Sequence, residues 1–174
     1  MNIYVRFNIT FLIEHPRGMG KSESFIFNYA KRFIMPIWKK PTDRTYLENT
    51  LNKNTLGETL GIEITEVGEE YLEGRMPVDH RTKQPFGLLH GGASVALAET
   101  LASVAGFLSL SEGKNLVGVE INANHLRAVR EGYVVGRATP IRLGRTMQVW
   151  EVKIVDEKER LVCVSRMTGA VVGQ

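Results

Sequence analysis

The sequence predicts an α+β domain in which one long apolar helix packs against an antiparallel sheet. Three observations carry this prediction. Residues 93–110 are rich in Ala and Leu, contain no proline and form the longest helical candidate in the chain. Around that helix lie short segments of alternating apolar and polar residues, joined by connections short enough for antiparallel pairing. The 174 residues, 43% hydrophobic and 24% charged, suffice for one domain with a proper core and exclude a disordered or multi-span membrane chain.

Taken in order, Thr42 or Asp43 caps a short helix running to about Leu51. Leu47 and Leu51 form its apolar stripe, Thr45 and Glu48 have capping-box spacing, and Gly57 or Gly61 is its stop. Ile62, Ile64 and Val67 alternate as a strand, and residues 71–78 are its hairpin partner across Gly68-Glu69. After the long helix, residues 117–126, 133–141, 147–155 and 161–172 read as four more strands. Glu131-Gly132, Gly144-Arg145 and residues 156–159 supply turn material between them.

Residues 1–34 differ in composition from the rest. Residues 1–40 carry seven Lys/Arg against Glu14 and Glu23, or +5, so the remainder sums to −2 although the whole chain is +3. Five of the seven phenylalanines also precede residue 35. The basic character therefore belongs to this segment and does not mark residues 35–174 as a nucleic-acid-binding domain. Gly18-Met-Gly20-Lys21-Ser22 fails as a phosphate loop, because His15 stands where the first glycine is required. The apolar run 3–13 is too short to span a bilayer. The expectation is an extension, or sequence upstream of a start at Met35, outside the domain formed by 35–174.

A single cysteine, Cys163, excludes an internal disulfide and fits a reducing, cytoplasmic setting. His15, His80, His90 and His125 lack metal-ligand spacing, so neither a metal nor any other cofactor is expected. There is no Gly-x-Ser-x-Gly elbow.

The chemistry concentrates between Gln84 and Ser103. Gly91 and Gly92 stand at the start of the long helix, where backbone N–H groups lack partners and face the positive end of the dipole. Such donors can hold an oxyanion, and glycine lets a ligand carbonyl come close. Glu99 shares a helix face with Gly92, Val95, Ala96, Ala102, Ser103 and Gly106, a surface small enough for something to lie against it. Burying an acid there is costly unless it is used or paired. Its plainer reading is a structural glutamate satisfied by Arg127 or Arg166. His90 directly precedes the glycines and Gln84 lies six residues earlier. Either could orient a water or an acyl group, and either could be an ordinary loop hydrogen-bonder. Gly91 and Glu99 are eight residues apart, about 12 Å along a helix, too far to touch one carbonyl within one subunit. If both act, Glu99 must come from a two-fold-related copy, which favours a dimer.

The string Met76-Pro-Val-Asp-His-Arg-Thr-Lys-Gln-Pro-Phe-Gly-Leu-Leu-His-Gly-Gly-Ala-Ser-Val-Ala-Leu-Ala-Glu-Thr closely resembles the hotdog-fold acyl-CoA thioesterases of the phenylacetate-pathway type. Within them it is most similar to the bacterial branch that includes the 1,4-dihydroxy-2-naphthoyl-CoA hydrolases of menaquinone biosynthesis. The resemblance runs from about Met35 to the C-terminus. It implies an antiparallel sheet wrapped around one central helix, and homodimers that usually pair into tetramers. It also implies an acyl-CoA substrate, with an aromatic acyl group such as dihydroxynaphthoyl. Glu99 would then be the nucleophile or the general base. The Gly91 amide would polarise the thioester, Gln84 and His90 would position thioester and water, and Ser103 would assist. Phe86 and Gly92 would line the substrate, and His125, Arg127 and Arg145 would meet the coenzyme A nucleotide, whose phosphates suit basic groups. The segment departs from the family pattern at Leu126 and Ala128. Two other functions remain open: an acyl-thioester hydratase or dehydratase on the same fold, and a non-catalytic acyl-binding module. The spacing of Glu99 nine residues beyond His90 speaks against the first.

Overall fold

The computed structural model describes residues 36–48 and 53–173. The expectations for residues 1–34, and for Leu51 at the end of the first helix, lie outside these. Two short helices, α1 (Arg44–Tyr46) and α2 (Leu56–Leu60), precede the hairpin β1 (Glu63–Val67) and β2 (Leu72–Pro77). The long helix α3 (Gly91–Leu108) follows. The chain then forms β3 (Lys114–His125), β4 (Tyr133–Leu143), β5 (Met147–Asp156) and β6 (Leu161–Gly173). All neighbours in the sheet are antiparallel, in the order β1-β2-β4-β5-β6-β3. One helix against one antiparallel sheet is the α+β arrangement that the sequence predicts, and the hotdog arrangement that the resemblance implies.

Local chemistry explains most element ends. Asp43 caps α1 by accepting the Tyr46 N–H at 3.0 Å. Glu48 does not complete a capping box and instead accepts from the Arg44 guanidinium. Gly57 does not stop the first helix either. It lies buried inside α2, which the sequence reading missed because a helix of five residues is too short to show periodicity. Gly61 ends α2 in the left-handed conformation, φ 71°.

Helix α3 buries Leu97, Ala98, Leu101, Ala102, Ala105 and Leu108 against the sheet. Each fully buried leucine contributes about 1.5–3 kcal/mol. Gly74 and Gly136 face each other across β2 and β4, and Leu101 rests on both. A Cβ at either position would stand 2.7 or 2.8 Å from a Leu101 methyl, so this glycine pair sets how closely the helix approaches the sheet. At the far end of the helix a buried polar chain ties α3 to β5. Trp150 donates to Gln148 at 3.0 Å, Gln148 to Ser109 at 2.9 Å, and Ser109 to the Gly106 carbonyl at 2.8 Å. Cys163 is a buried free thiol in the core, as its strand pattern predicts. Long and apolar enough to cross a membrane, α3 is instead the helix on which this core is built.

Candidate active site

The start of α3 is prepared by the loop before it. Gly87 (φ 75°) turns the chain, Gly87 N–H bonds the Gln84 carbonyl at 2.9 Å, and Gln84 N–H bonds the Leu88 carbonyl at 2.8 Å. The Gln84 side-chain oxygen accepts the Phe86 N–H, which leaves the amide nitrogen as its free donor. His90 is then fixed from both sides. Its N–H bonds the Thr82 carbonyl at 2.8 Å, and its Nδ1 accepts the Gly92 N–H at 2.8 Å, making it the N-cap of α3.

This corrects one expectation: the Gly92 amide is not an open donor, because His90 takes it. The Gly91 N–H has no partner among the described residues, while the amides of Ala93 and Ser94 bond back to the His90 carbonyl. One donor at the helix start therefore remains open. With Nδ1 accepting, the proton of neutral His90 sits on Nε2, the ring's remaining donor.

Two separate hollows receive most of the sequence-predicted residues, and His90 lines neither. The first, about 370 Å³, is lined by Gln84, Leu88, Gly91, Ser94, His125 and Arg127 among others. His125 covers Gly91 closely, since a Cβ on that glycine would stand 2.8 Å from His125 Nε2. Backbone bonds from Leu126 and Arg127 to the Val162 carbonyl, at 2.8 and 3.3 Å, hold this wall in place. The second hollow, also about 370 Å³, is lined by Leu56, Gly92, Val95, Ala96, Glu99, Thr100 and Ser103. The structure thus brings Gln84, Gly91, His125 and Arg127 together, and Glu99, Gly92 and Ser103 together. It does not bring the two groups into one hollow within a single chain. A wider groove of about 930 Å³ runs along β1 and α1, and none of these residues lines it.

Three further expectations change. Glu99 is exposed rather than buried, and among the described residues it makes no ion pair with Arg127, Arg166 or any other base. The plainer reading of a satisfied structural acid therefore loses its partner. Phe86 is 84% exposed at the tip of its loop and lines neither hollow. Arg145 lies in the turn between β4 and β5, where Met147 pairs with Ala170, and Ala170 pairs with Val117 near the start of β3. His125 is at the opposite end of β3, so Arg145 does not join His125 and Arg127 within one chain. The sequence reading missed Leu56, Thr100 and Gly118. Leu56 belongs to the unrecognised α2, and no local signal marks the place where Gly118 meets Glu99. No cluster of three His, Cys, Asp or Glu side chains forms a metal site among the described residues.

One long helix packed against a six-stranded antiparallel sheet is the architecture of the hotdog class. Residues 86–163 match the thioesterase superfamily. The chain is 50% identical over 135 residues to the 1,4-dihydroxy-2-naphthoyl-CoA hydrolase of Escherichia coli (strain K12), covering 78% of this chain and 98% of that one. It is 53% identical over 137 residues to the proofreading thioesterase EntH of Cronobacter turicensis, covering 79% and 99%. A crystallised thioesterase from Haemophilus influenzae superposes with a TM-score of 0.77 at 56% identity, covering 79% of this chain and 95% of its own. The protein belongs to the thioesterase superfamily and is a thioester hydrolase.

Proposed function

We propose that the protein hydrolyses an acyl-CoA thioester with an aromatic acyl group, such as 1,4-dihydroxy-2-naphthoyl-CoA, in a cytoplasmic setting and without a cofactor. Support for the acyl class comes from the naphthoyl-CoA hydrolase of Escherichia coli among its relatives. Glu99 carries the chemistry. It either attacks the thioester carbon, expelling coenzyme A and leaving an anhydride that water then cleaves, or it removes a proton from the attacking water. The open Gly91 amide stabilises the oxyanion, with the helix dipole behind it. The Gln84 amide nitrogen and His90 Nε2 orient the thioester and the water, and Ser103 assists beside Glu99. Arg127 and His125 meet the coenzyme end, together with Arg145 from another copy of the chain.

The separation of Gly91 and Glu99 into two hollows is the observation that carries this reading. Each hollow holds half of what hydrolysis needs, so the site is completed by a second subunit. The edge strand β3 supports a two-fold contact: its outer side is unpaired among the described residues, and Val117 and Val119 are 52% and 64% exposed. Pairing β3 with its copy would bring a partner helix alongside α3. Exposed Met147 and Val172, at the margin of the same sheet, support a further contact that joins two dimers into a tetramer.

Release of free thiol from a panel of aromatic and aliphatic acyl-CoAs tests the function. The expected result is hydrolysis that is fastest with the aromatic substrates. Hydration of an enoyl-CoA without thiol release would make the protein a hydratase, and saturable binding without turnover would make it an acyl-binding module. Replacing Glu99 with Gln should lower kcat by about 100-fold or more with the oligomer intact. A variant that retains more than about a tenth of wild-type kcat would remove Glu99 from the mechanism.

A further inference from the structure

We infer that Gly118 of β3 is a positioning residue for Glu99, its missing side chain being what allows the carboxylate to rest against the strand. The inference rests on the reading that Glu99 carries the chemistry. A Cβ built on Gly118 would stand 2.9 Å from Glu99 Oε1 and 4.0 Å from its Cδ, and it would meet no other residue within that range.

The usual reasons for a glycine are missing at this position. Its φ does not fall in the left-handed region, unlike that of Gly61, Gly87, Gly113 and Gly132. Packing within the chain does not require it either, and its cross-strand partner Gly169 shows the contrast. A Cβ there would stand 2.7 Å from Leu116 Cγ, so Gly169 is a glycine because Leu116 packs onto it. Gly118 faces only the end of a flexible, exposed side chain, which could swing away at little cost to the fold. A methyl at 118 would thus leave the domain folded and move the one group whose placement decides the chemistry. The strand is shaped at the same point: the register with β6 shifts between Gly118 and Glu120, so Val119 is an extra, bulged residue. Bulges of this kind re-aim a strand beside an active site.

The test is Gly118→Ala, measured alone and combined with Glu99→Asp. The single variant should lose about tenfold or more in kcat with KM changed by less than about threefold, because the misplaced carboxylate acts only as the reaction proceeds. Aspartate is one methylene shorter and leaves room for the new methyl. In the Glu99→Asp background the same substitution should therefore change kcat by less than about threefold. Gly118→Ala with near-wild-type kcat, or losses that multiply in the double variant, would overturn the inference. If Gly118→Ala unfolds or dissociates the protein, Tm in the Glu99→Ala background decides. Recovery of folding there supports the contact with Glu99, and persistent loss overturns it. Failure of the underlying reading looks different, since Glu99→Gln would then stay active whatever residue occupies 118.

Discussion

His90 Nδ1 accepts the Gly92 amide at 2.8 Å, so one imidazole caps α3 and keeps its Nε2 as a second, open donor. The two roles can be separated. Removing the acceptor with His90→Ala should cost about 1 kcal/mol, as loss of an N-cap does. Asparagine at 90 restores an acceptor for the Gly92 N–H but has no second ring nitrogen. His90→Asn should therefore recover most of the lost Tm while kcat remains low. Recovery of both would reduce His90 to a cap.

Mixed dimers test the shared site. Glu99→Ala and His90→Ala each disable a different half. Refolded together in equal amounts, half of the dimers are mixed, and each of those has one intact site. About a quarter of wild-type activity should return under random two-fold pairing. If mixed dimers form and activity stays at the level of the two variants alone, the halves belong to one subunit.

Acid should loosen the β5–β6 turn. The Arg160 guanidinium, at 2.7–2.8 Å, and the N–H groups of Arg160 and Lys158, each at 3.0 Å, hold the Asp156 carboxyl down at about 2. A carboxyl depressed in the folded state contributes stability that is fully present above its unfolded value, 3.8, and is lost as pH falls from there towards 2. Tm of the wild type should therefore fall across that window. Asp156→Asn should be less stable at neutral pH and show a shallower fall, with Asp79, also held at about 2 by Arg81, still contributing. Parallel curves for the two proteins would rule Asp156 out.

Residues 35–174 should fold and turn over on their own. An alignment of 135 residues already covers 98% of the Escherichia coli relative, so a member of this family needs no more chain than that. Thermal unfolding and thiol release by the 35–174 fragment should match the full chain. Aggregation of the fragment would overturn this.

How far the sequence alone reaches follows from which contacts are local. Alternation and turn residues placed the six strands, and the Ala- and Leu-rich run placed α3, because these signals are local in the chain. The string from Gln84 to Glu99 was legible for the same reason: a loop, a helix start and a carboxylate two turns on are fixed by spacing along one segment. The 12 Å between Gly91 and Glu99 likewise needed only helix geometry. Tertiary structure decided what depends on partners distant in the chain. It put β3 beside β6 and so made β3 an edge, it set Arg145 at the far end of the sheet from His125, and it left Glu99 exposed with no arginine paired to it among the described residues. It also brought Gly118 under the Glu99 carboxylate. No periodicity encodes these placements, because each results from packing the whole sheet around one helix, which brings together residues with no local sequence relationship.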